Sequence, residues 1–145
     1  MKKAAFYLMV SILFACSLVV VPPVRAQSGG AESVYKNQLI SLYAGVDSLL
    51  RNIDKVGTHR TAVINGLFAT LKLVHRLGEE SSQSDLDATK AGANSSKELL
   101  MVSQTCAVLD FIITSMTNYL WTSDRSFILL ARQGNELAKS SIQAM

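Results

Sequence analysis

Along residues 35–56 the apolar side chains fall at Tyr35, Leu39, Leu42, Val46, Leu49, Ile53 and Val56, in alternating steps of four and three. This rhythm gathers them on one face of a helix and leaves Lys36, Asn37, Asp47, Arg51 and Lys55 mostly on the other. The same rhythm returns further along the chain. Ile64, Leu67, Leu71 and Val74, widened by Val63, Phe68, Leu73 and Leu77, predict a second helix. Leu99, Val102, Cys106, Leu109, Ile113, Met116 and Leu120 predict a third. Val108, Phe111 and Ile112 add apolar surface on its other sides, so its middle is expected to be surrounded. Phe127, Leu130 and Leu137 carry the rhythm into a fourth.

The residues between the stripes set the boundaries. Gly57 suits the left-handed position after a helix end, and Thr58 suits an N-cap. So short a link makes the first two helices antiparallel neighbours. Gly78 is expected to end the second helix. Residues 79–97 are polar and fit a loop, a short helix from Asp85 to Ala91, or a longer frayed helix. Ser95 and Glu98 match a capping box, with Ser95 as N-cap and Glu98 reaching back. Thr122 or Ser123 is expected to cap the fourth helix, with Asp124 in its first turn. The predicted helices are 32–56, 59–77, 96–121 and 124–142. Amphipathic faces of one rhythm bury each other most simply in an all-α, antiparallel three- or four-helix bundle, with the third helix central.

Residues 1–26 follow a different pattern. Lys2 and Lys3 precede an apolar run from Ala4 to Val21, then Pro22-Pro23, then small residues. This is the layout of a secretory signal peptide of bacterial style, with Val24 and Ala26 at the −3 and −1 positions and cleavage between Ala26 and Gln27. The expectation is an exported protein, periplasmic or secreted, with residues 27–145 as a single helical domain. Leu13–Cys16 loosely resembles a lipoprotein box, but Phe14 fits it poorly and the apolar run continues past Cys16, so lipid anchoring is not favoured. Pro22-Pro23 argues against an uncleaved anchor.

Removing this segment changes the charge balance. The whole chain carries 14 basic and 11 acidic side chains, a net charge of +3. Lys2, Lys3 and Arg25 leave with the signal and no acid does, so the remainder is neutral. No basic cluster survives, which removes the electrostatic case for nucleic acid. Both of the 2 prolines also leave, and a proline-free remainder suits helices.

Candidate chemistry is sparse. Cys106 is the lone cysteine after processing and sits on the third helix's seam, which points to packing. A catalytic thiol would need a base within reach and a route for substrate. Asp110, one helical turn further on, is the residue that packing does not explain. A carboxylate there must be paired, neutralised or exposed, and Arg60, His75 and Arg125 are its candidate partners. His59 and His75 both fall in the predicted second helix, about 24 Å apart at 1.5 Å per residue, too far to share one metal. His75 is expected at a boundary near that helix's end. No zinc, haem, phosphate-loop or nucleophile-elbow spacing occurs, so no cofactor is implied. Gly66, Gly92 and Gly134 suit close helix approach, and Tyr35, Tyr43, Tyr119 and Trp121 suit core or boundary positions.

The expected function is that of a non-enzymatic protein-interaction or accessory subunit in the bacterial envelope, of the kind used in secretion or conjugation assemblies. Its partner is another protein or a second copy of itself. Two other functions compete. Residues 99–121 are long enough to span a bilayer, but Asp110 near the centre would cost about 3 kcal/mol, so membrane contact is not favoured. A pocket near Cys106 and Asp110 could instead make the protein a small-ligand carrier or an enzyme.

Overall fold

A computed structural model describes residues 30–145, and the predicted signal segment with its Ala26–Gln27 cleavage point lies outside the described residues. Within the described residues four α-helices follow one another: α1 (Ala31–Asn52), α2 (Arg60–Lys90), α3 (Lys97–Thr122) and α4 (Arg125–Gln143). The described residues contain no strand. The all-α bundle is the architecture that the apolar rhythm predicts.

Helix α3 is the hub. It packs along its length against α2 and α4, its sequence neighbours, and less extensively against α1. Its seven seam residues, Leu99 to Leu120, are all buried, as are Leu39, Val46, Leu49, Ile53 and Val56 from the first stripe. Hydroxyls that share this interior satisfy themselves locally. Thr70, Thr105 and Thr117 each donate to the carbonyl four residues back, on Gly66, Met101 and Ile113, so their burial leaves no donor orphaned.

Several boundaries differ from the pattern's expectation. Helix α1 stops at Asn52, and two 3₁₀ turns, Ile53–Lys55 and Gly57–His59, carry the chain round the corner. Ile53 and Val56 stay buried through this turn, so apolar periodicity outlasts the helix itself. Gly57 takes the left-handed conformation (φ 52°), but Thr58 makes no cap, and α2 starts at Arg60. Helix α2 runs past Gly78 to Lys90. A glycine inside a helix costs only about 1 kcal/mol, and buried Ser81 and Leu77 anchor the chain on either side of it. The true terminator is Gly92, with φ 86°, not a close-packing position.

The N-caps of α3 and α4 each fall one or two residues beyond the expected ones. Ser96, not Ser95, caps α3 by accepting from the Leu99 amide at 3.3 Å. Ser95 instead donates to Asp85 at 2.7 Å, and the Ser96 amide donates to the same carboxylate. Asp124, rather than Thr122 or Ser123, caps α4 through the Ser126 amide at 2.9 Å. Ser123 closes α3 in the left-handed region (φ 59°), which breaks α3 from α4.

The Asp85 contacts give a pH prediction. Hydrogen bonds from Ser95 and Ser96 hold this carboxyl below its ordinary value of 3.8. The folded chain therefore binds the proton less readily than the unfolded chain. The contribution is fully present above 3.8 and is lost as pH falls through the folded value. Amide exchange at Ser96, normalised to its intrinsic rate, should lose protection below that pH. In Asp85→Asn it should be weaker at neutral pH and show no such acid limb.

Helix α4 is buried on a face other than the expected one. Its interior side consists of Ile128, Ala131, Gly134, Asn135 and Ala138, whereas Leu130 and Leu137 are exposed. Small residues let α4 lie close on α3: a Cβ on Gly134 would sit 2.8 Å from Ile112 Cγ1. Asn135 also ties α4 to α1. Its amide donates to Asp47 Oδ1 at 2.8 Å, and Arg51 meets the other oxygen of Asp47 at 2.7 Å.

Candidate functional site

The helices α2 and α3 run antiparallel, and facing residues, spaced by seven along α2 and by eleven and then seven along α3, form successive rungs of one solvent-facing groove. Phe68 and Trp121 make the first rung, with ring centroids 6.0 Å apart. His75 and Asp110 make the second, at 2.8 Å between Nε2 and Oδ2. Ser82 and Ser103 make the third, with hydroxyls 2.8 Å apart. Between the second and third rungs the side chains are small. There Gly78, Cys106 and Ala107 floor an open depression of about 500 Å³, with Val74 and Glu79 on its walls.

Asp110 therefore has His75 as its partner, not Arg60 or Arg125. Its second oxygen accepts from Thr114 at 3.1 Å. Both side chains of this hydrogen-bonded pair remain about half in water, and exposed polar pairs of this kind contribute about 0–1 kcal/mol. His75 lies in mid-helix, not at a helix end, because α2 continues to Lys90. Arg60 is used elsewhere: its guanidinium donates to the Leu120 carbonyl at 3.2 Å and to Ser123 Oγ at 2.9 Å, where α3 ends.

Cys106 lies on the floor, 3% exposed. A Cβ on Gly78 would stand 3.2 Å from the Cys106 Cβ, so α2 covers the thiol closely. Burial pushes the thiol up to about 12. It stays protonated at physiological pH, and the thiolate is the form that attacks. A thiol reagent should label Cys106 in the native protein at least about 100-fold more slowly than in the urea-unfolded chain, at a rate set by opening of the bundle. Equal rates would place the sulfur in solvent.

The polar groups of the groove do not assemble into a relay. The imidazole Nε2 bonds to Asp110, while Ser82 and Ser103 bond to each other one heptad away, about 10 Å along both helices. No group of three or more His, Cys, Asp or Glu that could hold a metal ion occurs among the described residues. What the groove offers is an open, mainly apolar depression between the His75–Asp110 pair and a hydroxyl pair.

Cys106, Asp110 and His75 were singled out by the sequence, with His75 as one of three candidate partners of Asp110, and the fold brings the three to one region. Sequence reasoning missed Ser82, Ser103 and the exposure of Phe68, Phe111 and Trp121. The seven-residue spacing from Phe68 through His75 to Ser82, matched by Ser103 and Asp110, was the signal that pairs them. Trp121 is 62% exposed, so it belongs to neither core nor boundary, unlike half-buried Tyr35, Tyr43 and Tyr119. Phe111 is likewise exposed, so the middle of α3 is open on one side.

That open side extends beyond the groove. Leu100 and Phe111 on α3, Phe68 and Leu86 on α2, and Leu130 and Leu137 on α4 all leave two fifths or more of their surface in water. Helix α3 is also long and apolar enough to cross a membrane by length and composition, with half of its most apolar stretch buried inside the bundle. Comparison with protein families, with curated proteins and with solved structures finds no match for the chain.

Proposed function

We propose that the protein is a small, non-enzymatic helical interaction module of the bacterial envelope. In this reading residues 1–26 export it and the bundle serves as an accessory subunit of a larger envelope assembly, such as a secretion or conjugation machine. The observation that carries it is the apolar face around Leu100, Phe111, Leu130 and Leu137, which remains open although the four helices already bury a core of their own. Monomers rarely leave large contiguous apolar patches uncovered, and those that do use them for binding. The groove chemistry agrees, since its one thiol is protonated and covered and its histidine is engaged by Asp110.

The test uses the full gene with a C-terminal tag, expressed in a bacterial host. Fractionation should release the protein with the periplasmic or secreted fraction, with the mass of a chain that begins at Gln27. A photo-crosslinking residue at position 137, on the apolar face, should form a protein adduct in cells, whereas one at exposed Arg132 should not. Retention of the full-length chain in the cytoplasm would overturn the envelope reading. Equal crosslinking at both positions would overturn the assignment of the face.

A further inference from the structure

Helix α3 carries a second seam, on the side that α2, α1 and α4 leave open. It runs from Leu100 to Trp121 in the same alternating steps of four and three, and all of its residues are exposed except half-buried Asn118. Two properties distinguish it from an ordinary solvent face. It holds no charged residue: Asp110 is the only charge in α3 between Glu98 and the helix end, and Asp110 is turned to the flank by His75. It is also symmetric about its centre. Counting outward from Phe111, Ala107 matches Thr114, Gln104 matches Asn118, and Leu100 matches Trp121.

From this we infer that the occupant of the face is a second copy of this chain, packed antiparallel, α3 against α3, about a two-fold axis at Phe111. The inference rests on the interaction-module reading and names its partner. A two-fold interface sets each residue against its mirror position on the other copy. Here that operation pairs small with small (Ala107 with the partner's Thr114), amide with amide (Gln104 with the partner's Asn118), and large apolar with large apolar (Leu100 with the partner's Trp121). A seam with unrelated ends would bury an amide against a hydrocarbon instead.

The flanking helices agree with the same axis. Helix α4 lies against Phe111 at Gly134, so the operation brings Leu130 near the partner's Leu137. On α2 the contact of His75 with Asp110 marks the level of the axis, which places Lys72 within reach of the partner's Glu79. Both are exposed, so the rim carries opposite charges where the centre carries none. The seven exposed apolar residues of the face, Trp121 included, offer roughly 700 Å², close to the 800 Å² per partner of a standard interface once a polar rim is added.

The protein, expressed from its complete gene and purified in the form the host yields, is examined by sedimentation velocity from about 1 to 100 μM, a range in which interfaces of this size dissociate when their contacts are weak. A reversible dimer is expected. Phe111→Asp sets two carboxylates together at the axis and should weaken it by at least about 10-fold, with circular dichroism reporting the helical content unchanged. Lys72→Glu should weaken it several-fold, and Lys72→Glu combined with Glu79→Lys should restore it, which a mere folding defect would not do. A monomer throughout the range overturns the inference, as does a dimer indifferent to both changes. So does a monomer that floats with phosphatidylglycerol vesicles, since the face then meets lipid. A monomer that still crosslinks a different envelope protein from position 137 overturns the dimer alone and leaves the module reading in place.

Discussion

Leu109→Ala is expected to destabilise the bundle by about 3–5 kcal/mol. Leu109 stands at the middle of the buried α3 seam, fully enclosed, with Val102, Cys106, Ile113 and Met116 along the same face. Three elements converge on α3, so the helices around the hole cannot all close in at once. A domain of this size has about 5–15 kcal/mol in total, and the substitution removes a large part of it. Urea unfolding followed by circular dichroism should show a lower midpoint with an unchanged slope. Phe111→Ala, in the same helix but 46% exposed, should cost less than half as much in the monomer. If the two cost the same, α3 would not be the hub.

Gly134→Val should cost about 2–3 kcal/mol through overpacking. The first added carbon already stands 2.8 Å from Ile112 Cγ1 and 3.1 Å from Phe111 Cδ1. Valine gains only a few tenths of a kcal/mol in helix propensity over glycine, which does not offset that clash. Gly66→Ala is the control, because its added carbon meets nothing within 4 Å, and it should raise stability by about 0.5–1 kcal/mol. Opposite signs in paired thermal melts would separate packing glycine from incidental glycine. A stable Gly134→Val protein would mean that α4 sits further from α3 than described.

Both predictions bear on what the amino-acid pattern made legible. The seams of α1 and α3 could be read residue by residue, because large apolar side chains in steps of three and four have few other uses in a charged surface. The α4 seam could not. Apart from Ile128, its core side is made of Ala131, Gly134, Asn135 and Ala138, small or polar residues that carry little hydrophobic signal, while Leu130 and Leu137 advertise a core they do not enter. Close helix approach is favoured by a lack of side chain, and a pattern of hydrophobicity cannot register a lack. The end of α2 was missed for a related reason. Gly78 resembled a terminator, yet tertiary packing at Leu77 and Ser81 outweighs the local preference of one glycine.

In the site, the pairing of Asp110 was legible as a short set of options and no further. Arg60, His75 and Arg125 were all plausible partners until the register of α2 against α3 was known. That register fixes His75 opposite Asp110 and sends Arg60 to the far end of the groove. The same register, not any single residue, creates the Ser82–Ser103 rung and the depression beside it.

Arg60 and its surroundings also give the bundle a direction. At one end the guanidinium of Arg60 holds the Leu120 carbonyl and the Ser123 hydroxyl where α3 ends, and Tyr119 donates to Asp54 at 2.7 Å across the same corner. At the other end, the Asp85 contacts join only residues on either side of a single exposed turn. The assembly is thus riveted at one extremity and merely folded over at the other. When it yields, it should peel open from the Gly92 turn like a book from its fore-edge, with the spine at Arg60 and Tyr119 parting last. A protease should nick first at residues 91–95, and amides along α3 should gain solvent in order from Leu100 toward Leu120.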